Sequence, residues 1–112
     1  MKPRLFLFIL LLAFCWTASA QTFGEITGQI RDQSGGTIPG ATVTATNTAT
    51  NAVRTSSSNE AGVYSFPSLQ PGVYIMRVET AGFKVATRNN VELQVQQSAR
   101  IDFELQVLKY MF

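Results

Sequence analysis

At 112 residues the chain has room for a single domain. It contains no histidine and one cysteine, Cys15, which excludes a Ser-His-Asp triad, the His-containing zinc sets and the commonest general base. Nine Lys plus Arg face seven Asp plus Glu, but two of the cations, Lys2 and Arg4, sit at the extreme N-terminus.

Those two cations head a segment that reads as a signal peptide. Lys2 and Arg4 form its charged start, Leu5 to Trp16 its apolar stretch, and Ala18-Ser19-Ala20 its small-residue cleavage site, with the cut expected between Ala20 and Gln21. The apolar stretch is too short for a membrane span, which needs about 20 apolar residues. Lipid attachment at Cys15 is disfavoured by the bulky Phe14 before it. Cleavage leaves seven cations against seven anions, so the basic balance belongs to the leader, and the electrostatic case for nucleic acid falls with it. Cys15 and Trp16 leave as well. The mature chain is therefore expected to hold together by packing alone, and a domain of this size buries only about 60–65% of its unfolded surface.

Gln21 to Gly24 reads as a lead-in. From Glu25 to Asp32, Ile26, Gly28 and Ile30 alternate with Thr27, Gln29 and Arg31, the period of a strand. Gly28 is expected to admit a neighbouring backbone or ring. Gln33 to Gly36 turns the chain. Ala41 to Asn47 forms a second strand, with Ala41, Val43 and Ala45 on one face and Thr42, Thr44 and Thr46 on the other, solvated one. After a polar loop, Ala52 to Ser57 is a weak polar strand expected at a sheet edge. Asn59-Glu60-Ala61-Gly62 makes a turn.

Ala61 to Val78 is the strongest pattern. Tyr64 and Phe66, then Tyr74, Met76 and Val78, are spaced two apart on either side of Pro67 to Gly72. It reads as a hairpin, with Pro71-Gly72 at the centre of a type II turn and Leu69 plugging the end of the core. Beyond it, Lys84 to Arg88 is a short strand, Asn89-Asn90 a turn, and Val91, Leu93 and Val95 alternate inward. Gln97-Ser98 turns again. Ile101, Phe103 and Leu105 then point inward from a last strand, with Asp102 and Glu104 outward. Seven or so short strands with brief connections predict an all-β, seven-stranded antiparallel Greek-key sandwich.

The run Gly62-Val63-Tyr64-Ser65-Phe66, Leu69-Gln70-Pro71-Gly72-Val73-Tyr74 and Ala81-Gly82-Phe83 resembles the carboxypeptidase regulatory-like domain. The resemblance extends back to Gly28-Gln29-Ile30-Arg31-Asp32 and forward to Ile101-Asp102-Phe103-Glu104-Leu105. It implies a transthyretin-like, carbohydrate-binding-like sandwich over residues 25–107. The apolar 108–112 reads as a C-terminal tail, either from a truncated longer reading frame or as the docked end of a free-standing domain. The resemblance also implies a place ahead of a larger protein, such as a TonB-dependent outer-membrane receptor. Some relatives carry an isopeptide bond from a first-strand lysine to a last-strand asparagine. Here those strands carry Arg31 and Asp102, so none is expected.

No catalytic residue, metal ligand or cofactor is expected. Asp102 and Glu104, about 7 Å apart on one strand face, are wider than the ~5–5.5 Å of a retaining glycosidase pair. Asp32 with Ser34 is too sparse for calcium. The expected function is an exported, non-catalytic module, periplasmic, outer-membrane associated or secreted, that supports or docks a protein partner through its polar edge. The rival is a carbohydrate-binding module, for which Phe83, Tyr110 and Phe23 are the aromatic residues outside the clear alternation.

Overall fold

A computed structural model describes residues 23–108. The leader, its cleavage site at Ala20 and Gln21, and Tyr110 lie outside the described residues.

Eight strands fill the described chain: β1 (Gly24–Asp32), β2 (Thr42–Asn47), β3 (Val53–Ser57), β4 (Val63–Leu69), β5 (Gly72–Glu79), β6 (Ala86–Leu93), β7 (Ser98–Arg100) and β8 (Phe103–Leu105). They form two four-stranded sheets. One has the order β4-β1-β7, with β8 also paired to β1; the other runs β3-β2-β5-β6. The residues spaced two apart in the sequence fill the space between the sheets. Ile26 and Ile30, Val43 and Ala45, Tyr64 and Phe66, and Met76 and Val78 are all buried in one cluster. Burying these side chains, each worth roughly 1.5–3 kcal/mol when large and apolar, is what joins the sheets. Leu69 closes one end of that core, as its position in the connection predicts.

Polar groups at the core's margin are satisfied locally. Asn47 is buried and its side-chain carbonyl accepts the amides of Ala49 (2.9 Å) and Thr50 (3.2 Å), capping the loop after β2. Ser58, just after β3, is also buried. It donates to the Ile38 carbonyl at 2.7 Å and accepts from the Ala41 amide at 2.9 Å, tying β3 to the start of β2. The turn at 59–62 forms as expected: the Gly62 amide donates to the Asn59 carbonyl at 2.8 Å, with Gly62 at φ 76°.

Several expectations are corrected. β4 and β5 do not form a hairpin. β4 pairs with β1 and β5 with β2 and β6, so residues 69–72 carry the chain from one sheet to the other. Pro71-Gly72 is accordingly not a type II turn. Gly72 has φ 152° and already pairs with Leu93 as the first residue of β5. A short loop with apolar residues on both sides suits a hairpin and a sheet-to-sheet crossing equally, because period two does not say which strand lies alongside.

Asn89-Asn90 does not turn the chain either. Both residues lie inside β6, opposite Ile75, where the register with β5 shifts between Tyr74 and Met76. Asn90 takes φ 56°, a left-handed conformation that asparagine tolerates, so the extra residue is absorbed as a bulge. The turn comes later, at 94–97, closed by the Gln97 amide on the Gln94 carbonyl at 3.1 Å. Val95 sits within it and is exposed rather than inward-facing.

The last expected strand is two strands, β7 and β8, while the strands expected at 84–88 and 91–95 are one, β6. Both β7 and β8 run parallel to β1, so the sheet is mixed rather than wholly antiparallel. The chain reaches β1 from the far sheet through β6, and that crossing delivers it in the same direction as β1.

Candidate functional site

The break between β7 and β8 is built around Gly28. A Cβ at that position would lie 1.8 Å from the Ile101 carbonyl oxygen and 2.8 Å from the Tyr64 hydroxyl. Only a residue without a side chain allows both groups to approach β1. The Tyr64 hydroxyl donates to the Ile101 carbonyl, and the Ile101 amide donates to the Thr27 carbonyl at 2.8 Å. The next ladder position is then filled by a side chain. The Gln29 amide donates to Asp102 Oδ1 at 2.8 Å, and the Arg100 Nε reaches both Asp102 oxygens at 3.2 Å. Burial, and to a lesser degree the Asp102 carboxylate, push the Tyr64 hydroxyl far above the ordinary phenol range, while Arg88 pulls it partly back.

Over this break lies a cleft of about 380 Å³ on the outer face of the first sheet. Arg31, Arg88 and Arg100 line it together with Asp102 and Glu104. Arg88 comes from the other sheet, and its guanidinium sits 5.6 Å from the centre of the Phe103 ring. That contact closes one side of the sandwich. On the opposite side Arg54 plays the same part, donating from β3 to the carbonyls of Pro67 (3.1 Å) and Ser68 (3.4 Å) at the end of β4.

The four sheet edges differ in how open they are. β4 carries Pro67, and its register with β1 is irregular near Gly24. β6 is bulged and β7/β8 is broken. Each of these devices blunts pairing with another chain. β3 is different, since it matches β2 residue for residue from Thr42 opposite Ser57 to Thr46 opposite Val53, with no shift. It is the polar edge expected from Ala52 to Ser57. The Asn47 amide donates to the Ala52 carbonyl, and the Ser58 amide to the Ala41 carbonyl. Keeping that alternation, the backbone of Arg54 and Ser56 turns toward β2, and that of Val53, Thr55 and Ser57 turns outward.

The aromatic candidates are not brought together. Phe83 is half-buried against the core and bridges to Val107 at one end of the sandwich. Phe23 is 45% exposed at the other end. It stands between two clefts of about 310 and 290 Å³, one lined by Glu25, Gln96 and Gln97, the other by Asn47, Arg54 and Gln70. Ser68, shared by both clefts, has φ 56°.

Among the described residues no group of three His, Cys, Asp or Glu could hold a metal ion. The Asp32 carboxylate is used by its own loop. It accepts from the Ser34 hydroxyl (2.6 Å) and from the amides of Ser34 and Gly36 (both 2.9 Å), bonds that hold it below the ordinary carboxylate range. Sequence reasoning reached Gly28 and the β3 edge. It missed the arginine-lined cleft, because Arg31, Arg88 and Arg100 come from three strands with no shared spacing.

Fold and surfaces together define an all-β sandwich module of two four-stranded sheets. Residues 25–106 match the carboxypeptidase regulatory-like domain, and the chain belongs to that family. Comparison with curated proteins finds no match. Among solved structures, the chain is similar to a candidate carbohydrate binding protein from Bacteroides uniformis, with TM-score 0.62 and 19% identity over 75% of this chain and 41% of that one. It is similar to the pilus 2b backbone protein of group B streptococcus, with TM-score 0.58 and 16% identity over 76% of this chain and 41% of that one. It is also similar to hydroxyquinol 1,2-dioxygenase from Pseudomonas putida, with TM-score 0.60 and 10% identity over 81% of this chain and 58% of that one. The chain thus spans about half the length of these proteins, and the likeness is one of fold.

Proposed function

We propose that this chain is an exported, non-catalytic module that docks a protein partner by accepting an added strand at β3. The observation that carries the reading is the regular, unbulged β3 edge, with the backbone of Val53, Thr55 and Ser57 turned outward. The family assignment supports a module without its own chemistry, and so does the lack of histidine. No helix among the described residues is long and apolar enough to cross a membrane. The resemblance to modules that precede TonB-dependent outer-membrane receptors supports a place in the cell envelope. A plug and barrel encoded downstream of codon 112 would establish that origin, and an unrelated sequence there would refute it.

The edge reading is tested by placing a photo-crosslinking residue at position 55 of the full chain in its native host. One protein partner is expected at position 55 and none at Thr87 on the bulged β6 edge. In a second chain, crosslinked from position 53, Thr55→Pro removes an outward amide and leaves the β2 ladder intact, so the adduct should fall at least about tenfold. Equal adducts from β3 and β6, or indifference to the proline, would defeat the proposal.

The second reading is a glycan site, favoured by the exposed Phe23 ring between two clefts lined with amide side chains. The neighbour of carbohydrate-binding description lends it support. A glycan array on the full chain should then show binding that Phe23→Ala abolishes. Phe83→Ala should affect stability more than binding, since Phe83 packs on the core. An array with no binder retires this reading.

A further inference from the structure

The arginine-lined cleft over the break between β7 and β8 belongs to neither of those readings, and β3 supplies none of its lining. Three guanidiniums, Arg31, Arg88 and Arg100, face two carboxylates, Asp102 and Glu104, so the cleft carries one positive charge in surplus. Each guanidinium is already oriented by the protein. Arg31 Nε donates to Gln29 Oε1 at 2.9 Å, Arg100 is held by Asp102, and Arg88 lies over Phe103. Among the described residues Arg88 has no ion pair, and its guanidinium rests over the Phe103 ring. An arginine held this way loses little freedom when it grips a planar anion.

The carboxylates narrow the ligand further. As carboxylates, Asp102 and Glu104 accept hydrogen bonds and donate none, so beside the anionic group they call for hydroxyl donors. A doubly charged phosphate ester would outweigh the single surplus charge and face both carboxylates. A volume of about 380 Å³ falls in the range of small-ligand pockets, about 300–1,000 Å³. We propose that this cleft binds the carboxylate of a hydroxyl-rich acid, a sugar acid of the uronate type. Arg88 and Arg31 take the carboxylate, and Asp102 and Glu104 take the ring hydroxyls.

The test is an amide NMR titration of the full, isotope-labelled chain with glucuronate, glucose and glucose 6-phosphate. Glucuronate should move the amides of Gln29, Arg31, Arg88 and residues 100–104. It should do so at least about tenfold more tightly than either of the other two. Arg88→Gln should weaken glucuronate about tenfold or more, and Arg31→Gln provides the same reading if the loss of the Phe103 contact disturbs the spectrum of the first variant. Thr55→Pro should leave glucuronate binding unchanged, which separates this site from the β3 edge. Glucose 6-phosphate binding as tightly as glucuronate would overturn the proposal. So would shifts centred on Phe23, or wild-type affinity in both arginine variants.

Discussion

Gly28→Ala is expected to destabilise the domain by about 3–5 kcal/mol, a large part of the roughly 5–15 kcal/mol that holds a domain together. The new Cβ would fall 1.8 Å from the Ile101 oxygen and 2.7 Å from its carbonyl carbon. Both are backbone atoms, so no side-chain rotation relieves the overlap, and β7/β8 has to move off β1. That movement also breaks the bond from Gln29 to Asp102 and the one from Tyr64 to Ile101. Urea unfolding measures the loss, and amide exchange should show residues 98–105 opening first. Gly40→Ala is the control. Nothing lies within 4 Å of a Cβ there, and only φ 73° penalises it, at roughly 1 kcal/mol. Equal effects at the two positions would mean that the close approach at Gly28 is not what holds β8 in place.

The second large effect belongs to Tyr64, which is almost wholly buried and packs its ring against Phe66 (centroids 5.9 Å apart) and Phe103 (6.2 Å). Tyr64→Ala should cost about 3–5 kcal/mol through the cavity it opens. Tyr64→Phe keeps the ring and removes only the hydroxyl that holds the Ile101 carbonyl, so it should cost about 1–2 kcal/mol. A phenylalanine variant as stable as the parent would refute the role given to that hydroxyl.

The pair also differ in alkali. Burial raises the folded-state pKa of Tyr64 above its unfolded value of about 10. Between those two values the folded state holds a proton that the unfolded state has released. This contribution is therefore complete below about pH 10 and is lost as pH climbs through the folded-state value. The stability gap between the parent and Tyr64→Phe should narrow as pH rises from 10. A gap that stays constant would show that the hydroxyl titrates alike in both states.

Much of this architecture is legible in single residues. Ile26 and Ile30, Val43 and Ala45, Tyr64 and Phe66 are assigned to the core by period two alone, and all are buried. Gly28 stands out as the strand residue without a side chain, and it meets a carbonyl and a hydroxyl. The polar run at 52–57 is an edge because it has no apolar face with which to occupy the middle of a sheet. Such properties are local: alternation, side-chain size and polarity decide which way each residue points before any partner strand is chosen.

Other features are decided only when distant segments meet. Whether β4 pairs with β5 or with β1 depends on which sheet has room for it. Asn89-Asn90 can turn a chain or bulge a strand, and the continuity of β5 opposite selects the bulge. Val95 matches the inward spacing, yet the turn at 94–97 leaves it exposed. The arginine cleft exists because β1, β6 and the broken β7/β8 strand converge on one face. By itself the sequence determined which residues face inward, since hydrophobicity and the two-residue repeat are written along the chain. The tertiary structure alone decided which strands are neighbours and which charges share a cleft, because pairing and electrostatic clustering act across space between residues that have no spacing in common.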